Sequence, residues 1–317
     1  MKIVSYFSLN EKIETILKTM GEYVSFVGKE VLLEDICDAE ILIGNIPPHL
    51  LKHCFNLKYV QLVFAGSDGY TDVVSENYVI CNASGTFGVS IAEHLLMYTL
   101  MFFRNMPTYT INQQNHAYNR IDKNRLIYGS TFVICGCGDI GSEFAKRLKS
   151  LGAKTIGIKR RACSSLPYFD EVYTEDKLED VLKEADVVAL CLPKNSSTDL
   201  FLNKQRISLL KKDAIVLNVG RGNAIETSAL IDALNNETIA GAGLDVFDQE
   251  PLCKEDPLYT CKNVIITPHV SGTYANAHTF DLFYALLEEN LNNYRNGKTL
   301  KNGIDAISGY RKEVIVE

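Results

Sequence analysis

Gly136, Gly138 and Gly141 form a G-x-G-x-x-G run inside FVICGCGDIG, directly after an apolar β-branched segment and ahead of a helical pattern. That spacing suits the phosphates of a dinucleotide. The first glycine permits a tight turn, the second lets a pyrophosphate approach the backbone, and the third lets helix and strand pack closely. The helix N-terminus adds unpaired N–H groups and a positive dipole end. The alternative is a tight strand-to-helix turn that binds nothing. Cys135 and Cys137 flank Gly136 as small side chains that fit such a turn, and neither a redox nor a metal role is expected of them.

The end of the next strand bears on the cofactor. Eighteen residues after Gly141 the chain reads Lys159-Arg160-Arg161, and no acid follows until Asp170. An NAD site usually carries Asp or Glu near that position, accepting hydrogen bonds from the ribose hydroxyls. A carboxylate repels a 2′-phosphate, whereas guanidinium groups bind phosphate oxygens through a bidentate fork. NADP is therefore the expected cofactor, with NAD possible. The alternative is a solvated charge cluster beside a site that tolerates NAD.

Three later strand ends carry polar residues: Arg221 in NVGRG, Asp245 and Glu250 in LDVFDQEP, and His269 in TPH. Ligands of a doubly wound sheet bind at the carboxyl edge of its strands, where Arg221, Glu250 and His269 would converge from separate loops. Read blandly, Arg221 is a structural turn residue, Glu250 a surface turn acid and His269 a helix cap. His94, in the AEH stretch of a helix, is expected to serve packing or hydrogen bonding. His49, His53, His116 and His278 are expected at the surface or at helix termini.

Such residues need strands that all end at one edge, and the patterning supplies them. Strands are expected at Lys2–Phe7, Tyr23–Val27, Ile41–Gly44, Tyr59–Phe64 and Tyr78–Asn82, with helices near Glu11–Met20 and Lys29–Asp38. Asn10 is placed to cap the first of these helices. A long helix from about Val89 to Asn105 is expected to end at Pro107, and the polar stretch Asn112–Arg125 reads as a linker or exposed arm. Further strands follow at Thr131–Cys135, Thr155–Lys159, Val187–Leu192, Ala214–Val219, Gly241–Val246 and Val264–Thr267, then a helix from roughly Tyr274 to Arg295 and a short tail. The strands are continuous apolar runs, as expected where both sheet faces are covered. The alternation implies α/β architecture with doubly wound parallel sheets.

Composition narrows the class. At 317 residues, two domains are the natural division at roughly 100–200 residues each. With 39 acidic against 32 basic side chains the net charge is −7, which argues against nucleic acid as a partner. The longest apolar run, Leu95–Phe103, is nine residues and falls short of the ~20 needed to cross a bilayer, so no membrane partner is expected. The opening MKIVSYFSLN lacks the long apolar stretch of a signal peptide. Nine Cys with no CxxC spacing point to a reduced, cytoplasmic setting without structural zinc.

Taken in order, NASGTFGVSIAEHLL, the glycine loop, CLPKNSSTDLFLN, LLKKDAIVLNVGRGNAIETSALIDAL, IAGAGLDVFDQEP and NVIITPHVSG resemble the D-isomer-specific 2-hydroxyacid dehydrogenase family across essentially the whole chain. The resemblance implies a Rossmann-type cofactor domain, about 101–284, inserted into a flavodoxin-like substrate domain of residues 1–100 plus 285–317, with the active site in the cleft and a homodimer formed through the cofactor domain. It implies that Arg221 holds the substrate carboxylate and polarises the keto oxygen, that His269 donates the proton, and that Glu250 orients the imidazole. Ala65, Gly66 and Ser67 would offer backbone N–H groups to the carboxylate. Asp139 and Ile140 would lie along the pyrophosphate, Leu192 and Pro193 at the adenosine end, and Val219 and Gly220 on the ribose side. Asp245 would meet the nicotinamide carboxamide, and Gly272 would join His269 at the cofactor. Lys159 stands where NAD-using members have Asp, which is similar to the NADP-using glyoxylate and hydroxypyruvate reductases.

The implied reaction is reduction of a small 2-keto acid to a D-2-hydroxy acid. Within that chemistry, 3-phosphoglycerate dehydrogenase and D-lactate dehydrogenase are alternatives. In another class, nucleotide-sensing corepressors use the same fold.

Overall fold

The computed structural model describes residues 1–307 and 309–314. The chain separates into two compact units: Met1–Thr86 together with the segment from Tyr274 onward, and Phe87–Thr273. Both crossings fall just ahead of a helix, Gly88–Phe103 in one case and Ala277–Arg295 in the other. Breaks at 100/101 and 284/285, as the sequence suggests, would cut through both helices. A crossing placed between elements leaves each helix whole in one unit.

In the second unit seven described strands pair in the order Val264–Ile266, Gly241–Leu244, Ile215–Asn218, Val187–Leu190, Thr131–Cys135, Lys154–Ile158, Glu171–Tyr173, every pair parallel. The order reverses between Thr131–Cys135, the first strand of the unit, and Val187–Leu190, its fourth. The carboxyl ends of these two strands therefore flank the crevice where a doubly wound sheet takes its ligand. The five inner strands are buried nearly throughout, with Val133, Ile156, Val188 and Val216 in one apolar cluster. Glu171–Tyr173 is an edge strand of three half-buried residues, with no apolar run to announce it.

In the first unit the order is Glu22–Ser25, Lys2–Ser5, Ile41–Ile43, Tyr59–Gln61, Val79–Cys81, Leu300–Ile304, Arg311–Val314. The first five are parallel and carry the 2-1-3-4-5 order of flavodoxin-like sheets. The last two are antiparallel. Among the described residues after Arg295, Leu300–Ile304 and Arg311–Val314 are thus strands rather than a plain tail. Asn290, fully buried in the helix Ala277–Arg295, ties that return in place. Its Nδ2 donates to Gln61 Oε1 and to the Lys301 carbonyl, both at 3.1 Å, and its Oδ1 accepts from the Lys301 N–H at 2.8 Å. A buried amide with three partners carries little unmet polarity.

Local chemistry explains the element ends. Asn10 accepts from the Ile13 N–H at 2.9 Å and starts the helix Glu11–Met20. Pro107 does not terminate the long helix. The helix Gly88–Phe103 ends at Arg104, and Asn105 takes a left-handed φ of 56°. Pro107 then sits in the first turn of a second helix, Met106–Gln114, where its missing N–H costs nothing. Residues 115–125 follow without regular structure and are mostly exposed. Arg125 closes that stretch: its guanidinium lies 4.3 Å from the Phe103 ring centroid, pairs with Asp186 at 3.4 Å and donates to the Asp213 carbonyl. The helix expected over Lys29–Asp38 is only Leu33–Ile36.

Candidate active site

Gly136 closes the strand Thr131–Cys135 with φ 100°, a left-handed backbone that favours glycine. A side chain there would overlap the Cys191 carbonyl, and one at Gly141 would overlap the Gly136 carbonyl. Gly138 is different, because nothing lies within 4 Å of the position its Cβ would take. It is the N-cap of the 12-residue helix Asp139–Ser150, whose first N–H groups have no partner within the helix. A bare backbone, open space and a helix N-terminus together fit a dinucleotide diphosphate. Asp139 and Ile140 form the first turn of that helix, both half-buried. Burial pushes the Cys137 thiol up to about 12, so it stays a thiol and donates to the Ile158 carbonyl at 3.5 Å.

Lys159 follows the strand Lys154–Ile158, and its backbone N–H donates to the Tyr173 carbonyl at 3.0 Å. Arg160 and Arg161 are exposed beyond it. Asp170, the next acid, lies at the opposite end of the strand. Its carboxylate accepts from the Thr155 N–H at 2.8 Å and from Lys149 Nζ at 2.7 Å. The carboxyl end of this strand is therefore basic.

Glycines set how the neighbouring loops stack. A side chain on Gly220 would overlap the Leu192 backbone, and one on Gly222 would overlap the backbone of Phe247 and Asp248. The loops after Val187–Leu190, Ile215–Asn218 and Gly241–Leu244 thus lie backbone on backbone. Leu192, Val219 and Gly220 are buried in this stack, and Pro193 is half-buried beside it. Sequence reasoning passed over Gly222, although its place in the GRG triplet was a signal. Buried Asn218 shapes the turn between the two glycines: its Oδ1 accepts from the Gly220 N–H at 3.1 Å and its Nδ2 donates to the Arg221 carbonyl at 3.0 Å. Arg221 is half-buried, and its Nη1 donates to the Gly220 carbonyl at 2.7 Å.

His269 and Glu250 meet directly, with Nδ1 to Oε2 at 2.7 Å. The other carboxylate oxygen, Oε1, accepts from the Phe247 N–H at 2.9 Å. An ionised carboxylate only accepts, so the proton between the pair sits on Nδ1, and Nε2 is the ring nitrogen that Glu250 does not engage. The imidazole is 45% exposed, so solvent and small molecules reach it. Its backbone has φ 53°, in the left-handed region that costs a residue with a Cβ about 1–3 kcal/mol.

Asp245 holds that conformation. Its carbonyl accepts from the His269 N–H at 2.9 Å. Its carboxylate is fully buried: Oδ1 accepts from the Val270 N–H at 2.9 Å and Oδ2 from the Ser271 N–H at 3.0 Å. The Thr267 hydroxyl donates to Oδ1 at 2.5 Å. That donation uses the only hydroxyl proton on Thr267, so its two other neighbours must donate to it. They are the Tyr98 hydroxyl at 2.5 Å and His94 Nε2 at 3.1 Å. Burial pushes the Tyr98 hydroxyl up, which keeps it a donor. Burial likewise draws His94 below the ordinary histidine range, against the pull of Asp245. Sequence reasoning gave Asp245 to the nicotinamide and saw no link from His94 to it, because partners 151 residues apart leave no local spacing to read. Gly272 packs against Ile91 and Phe87 of the same long helix region.

His94 gives a pH prediction. A histidine whose folded value is depressed adds stability that is present above its unfolded value, here 6.5, and lost as pH falls through the folded value. Gln at 94 retains a donor and does not titrate. Between pH 7 and pH 5 the melting temperature should fall further in the native protein than in H94Q. Parallel pH profiles would show that His94 is not buried as a neutral donor.

In the first unit, the turn Ala65-Gly66-Ser67 follows the strand Tyr59–Gln61. The Ala65 carbonyl accepts from Asn82 Nδ2 at 2.8 Å, and Ser67 Oγ donates to the Gly309 carbonyl at 2.9 Å. The returning C-terminal segment therefore braces this turn, which the sequence gave no reason to expect.

Residues 96–271 match the family model for the NAD-binding domain of D-isomer specific 2-hydroxyacid dehydrogenases. A glyoxylate reductase from Thermococcus gammatolerans is 30% identical over 86% of this chain and 84% of its own length. A D-3-phosphoglycerate dehydrogenase from Methanocaldococcus jannaschii is 32% identical over 87% of this chain, which spans about half, 54%, of that protein. Among solved structures, a D-isomer specific 2-hydroxyacid dehydrogenase family protein from Aeromonas salmonicida superposes with a TM-score of 0.85 at 29% identity, covering 96% of this chain and 99% of that one.

Proposed function

The chain belongs to the D-isomer specific 2-hydroxyacid dehydrogenase family, and on that premise we propose that it reduces a small 2-keto acid of the glyoxylate or hydroxypyruvate type to the D-2-hydroxy acid, with NADPH preferred over NADH. The observation that carries this reading is the 2.7 Å pair of His269 Nδ1 and Glu250, which leaves Nε2 as a directed proton donor.

Bound nicotinamide supplies the reducing equivalent. The chain's own residues do the rest. Glu250 fixes the ring tautomer, and His269 passes the proton from Nε2 to the keto oxygen as charge develops there. Arg221 takes the carboxylate and polarises the same oxygen with its planar fork of donors. The backbone of the Ala65–Ser67 turn is assigned to the substrate carboxylate on the strength of the sequence resemblance. Gly138 and the helix N-terminus behind it receive the diphosphate, while Leu192, Pro193, Val219 and Gly220 line the nucleotide.

The cofactor preference rests on Lys159, Arg160 and Arg161, and on the engagement of Asp170 at the far end of the strand. A homodimer is proposed through the second unit, where Met97, Leu100, Met106 and Ile111 are exposed apolar residues. Among the described residues no helix is long and apolar enough to cross a membrane. All nine cysteines are free, which suits the reducing cytoplasm proposed here.

Steady-state rates on glyoxylate, hydroxypyruvate, 3-phosphohydroxypyruvate and pyruvate, each with NADPH and NADH, test the reading. The expected result is turnover of the first two with kcat/KM higher for NADPH. Preference for the third or fourth substrate would move the assignment within the family, and a clear NADH preference would remove the role given to 159–161. Nucleotide binding without any turnover would favour a sensor. Light scattering of the same sample should give twice the chain mass.

A further inference from the structure

The residue after the second loop glycine is an acid, which is an unexpected choice beside a diphosphate. Asp139 is the first residue of the helix whose N-terminus is assigned to the phosphates, and like charges repel. Its carboxylate is directed elsewhere. A Cβ built on Gly88 would overlap Oδ1, Cγ and Oδ2 of Asp139, so the carboxylate lies against the bare Cα of that glycine. Gly88 is itself the first residue of another helix, the 16-residue Gly88–Phe103. The first N–H groups of that helix have no partner within the helix, and its positive dipole end favours a carboxylate in contact with it.

We propose that Gly88 is a positioning residue for cofactor binding: the absence of a side chain lets the N-terminus of Gly88–Phe103 hold the Asp139 charge off the dinucleotide diphosphate. Two helix N-termini then act in concert. One receives the phosphates, and the other neutralises the acid that would repel them. The proposal rests on the dinucleotide reading of the glycine loop. It accounts for two features together, an acid at the head of a phosphate-binding helix and a glycine at a helix start that shows no left-handed φ.

The test is a double-mutant cycle on cofactor affinity, read by calorimetric titration of NADPH and NADH rather than by turnover. Ala at 88 evicts whichever group stands at 139. In G88A the evicted group is charged and should weaken binding by about tenfold, with the loss shrinking as salt is raised. In D139N the amide carries no charge, and its affinity sets the neutral reference of the cycle. In G88A/D139N the evicted group is neutral, so affinity should lie within about threefold of that of D139N. Equal affinity of G88A and the native protein would overturn the proposal. So would a double variant as weak as G88A, since the damage would then lie in the backbone. If G88A does not fold, D139E serves instead: its longer arm lifts the charge off Gly88, and native affinity in that variant would also overturn the proposal. Failure of the native protein to bind either nucleotide would defeat the dinucleotide reading itself, a separate result.

Discussion

Replacing His269 should lower kcat for keto-acid reduction by about 10²–10⁴-fold while leaving dinucleotide affinity nearly native. The size is that of losing a general acid, and the imidazole is oriented for that role by a carboxylate at 2.7 Å. The choice of replacement matters, because position 269 has φ 53°. Ala is strained there and would confuse a backbone effect with a chemical one, whereas Asn tolerates the left-handed region. H269N keeps the loop and removes the acid, so H269A and H269N should be comparably slow. Recovery of activity in H269N would mean that the loop conformation, not the imidazole proton, is what the reaction needs. E250Q should be milder, about 10–10²-fold down in kcat, since the ring remains but its orientation and tautomer are no longer fixed. Rates and calorimetric titrations on the same preparations separate chemistry from binding.

Arg221 should give the second large effect, in a different pattern. R221A is expected to lower kcat/KM by about 10²–10⁴-fold, the scale of losing a charged group with two hydrogen bonds. KM should rise and kcat should fall together. The carboxylate is bound in the ground state, and the keto oxygen gains charge only in the transition state. Lys should rescue little, recovering less than about tenfold, because a point charge cannot reproduce a planar fork. The surrounding turn supports that expectation. Asn218 and the stacked glycines at 220 and 222 fix the backbone on both sides of Arg221. A shorter, freer side chain would therefore start from the right place with the wrong geometry. Native kcat/KM in R221A would remove Arg221 from the site.

The fold was legible wherever burial covers both faces of a strand. Thr131–Cys135 carries four consecutive buried apolar residues after Thr131, and the sequence places it to the residue. The helix Glu11–Met20 was equally clear, since Asn10 supplies a cap with a physical signature. Elements without a buried stripe were not legible. Arg311–Val314 is mostly exposed and charged, and Glu171–Tyr173 is a half-buried edge, so their pairing comes from neighbours remote in sequence. Pro107 is ambiguous in the sequence because proline both ends helices and begins them, and Asn105 decides between the two by its left-handed φ.

The site divides in the same way. Arg221, Glu250, His269 and the glycine loop carry local signatures, and the His269–Glu250 pair joins two of them. The support beneath them carries none. Thr267, Tyr98 and His94 act through one shared hydroxyl and a buried carboxylate, an arrangement set by proton counting in three dimensions. Gly88 belongs with them, since only contact with Asp139 shows what its missing side chain is for.

The discontinuous first unit also sets an order of events during synthesis. Every described strand of the second sheet has been made by residue 266, so that unit can finish folding while the chain is still growing. The first unit, although it starts earlier, must wait for Leu300–Ile304 to cover Val79–Cys81. Until then a short, apolar strand edge stands open, the kind of surface that recruits other chains. Slow synthesis of Leu300–Ile304, or a truncation ahead of 300, would lengthen that exposure. The aggregation of such nascent chains would then trace to the edge of Val79–Cys81, although the defect lies far later in the chain.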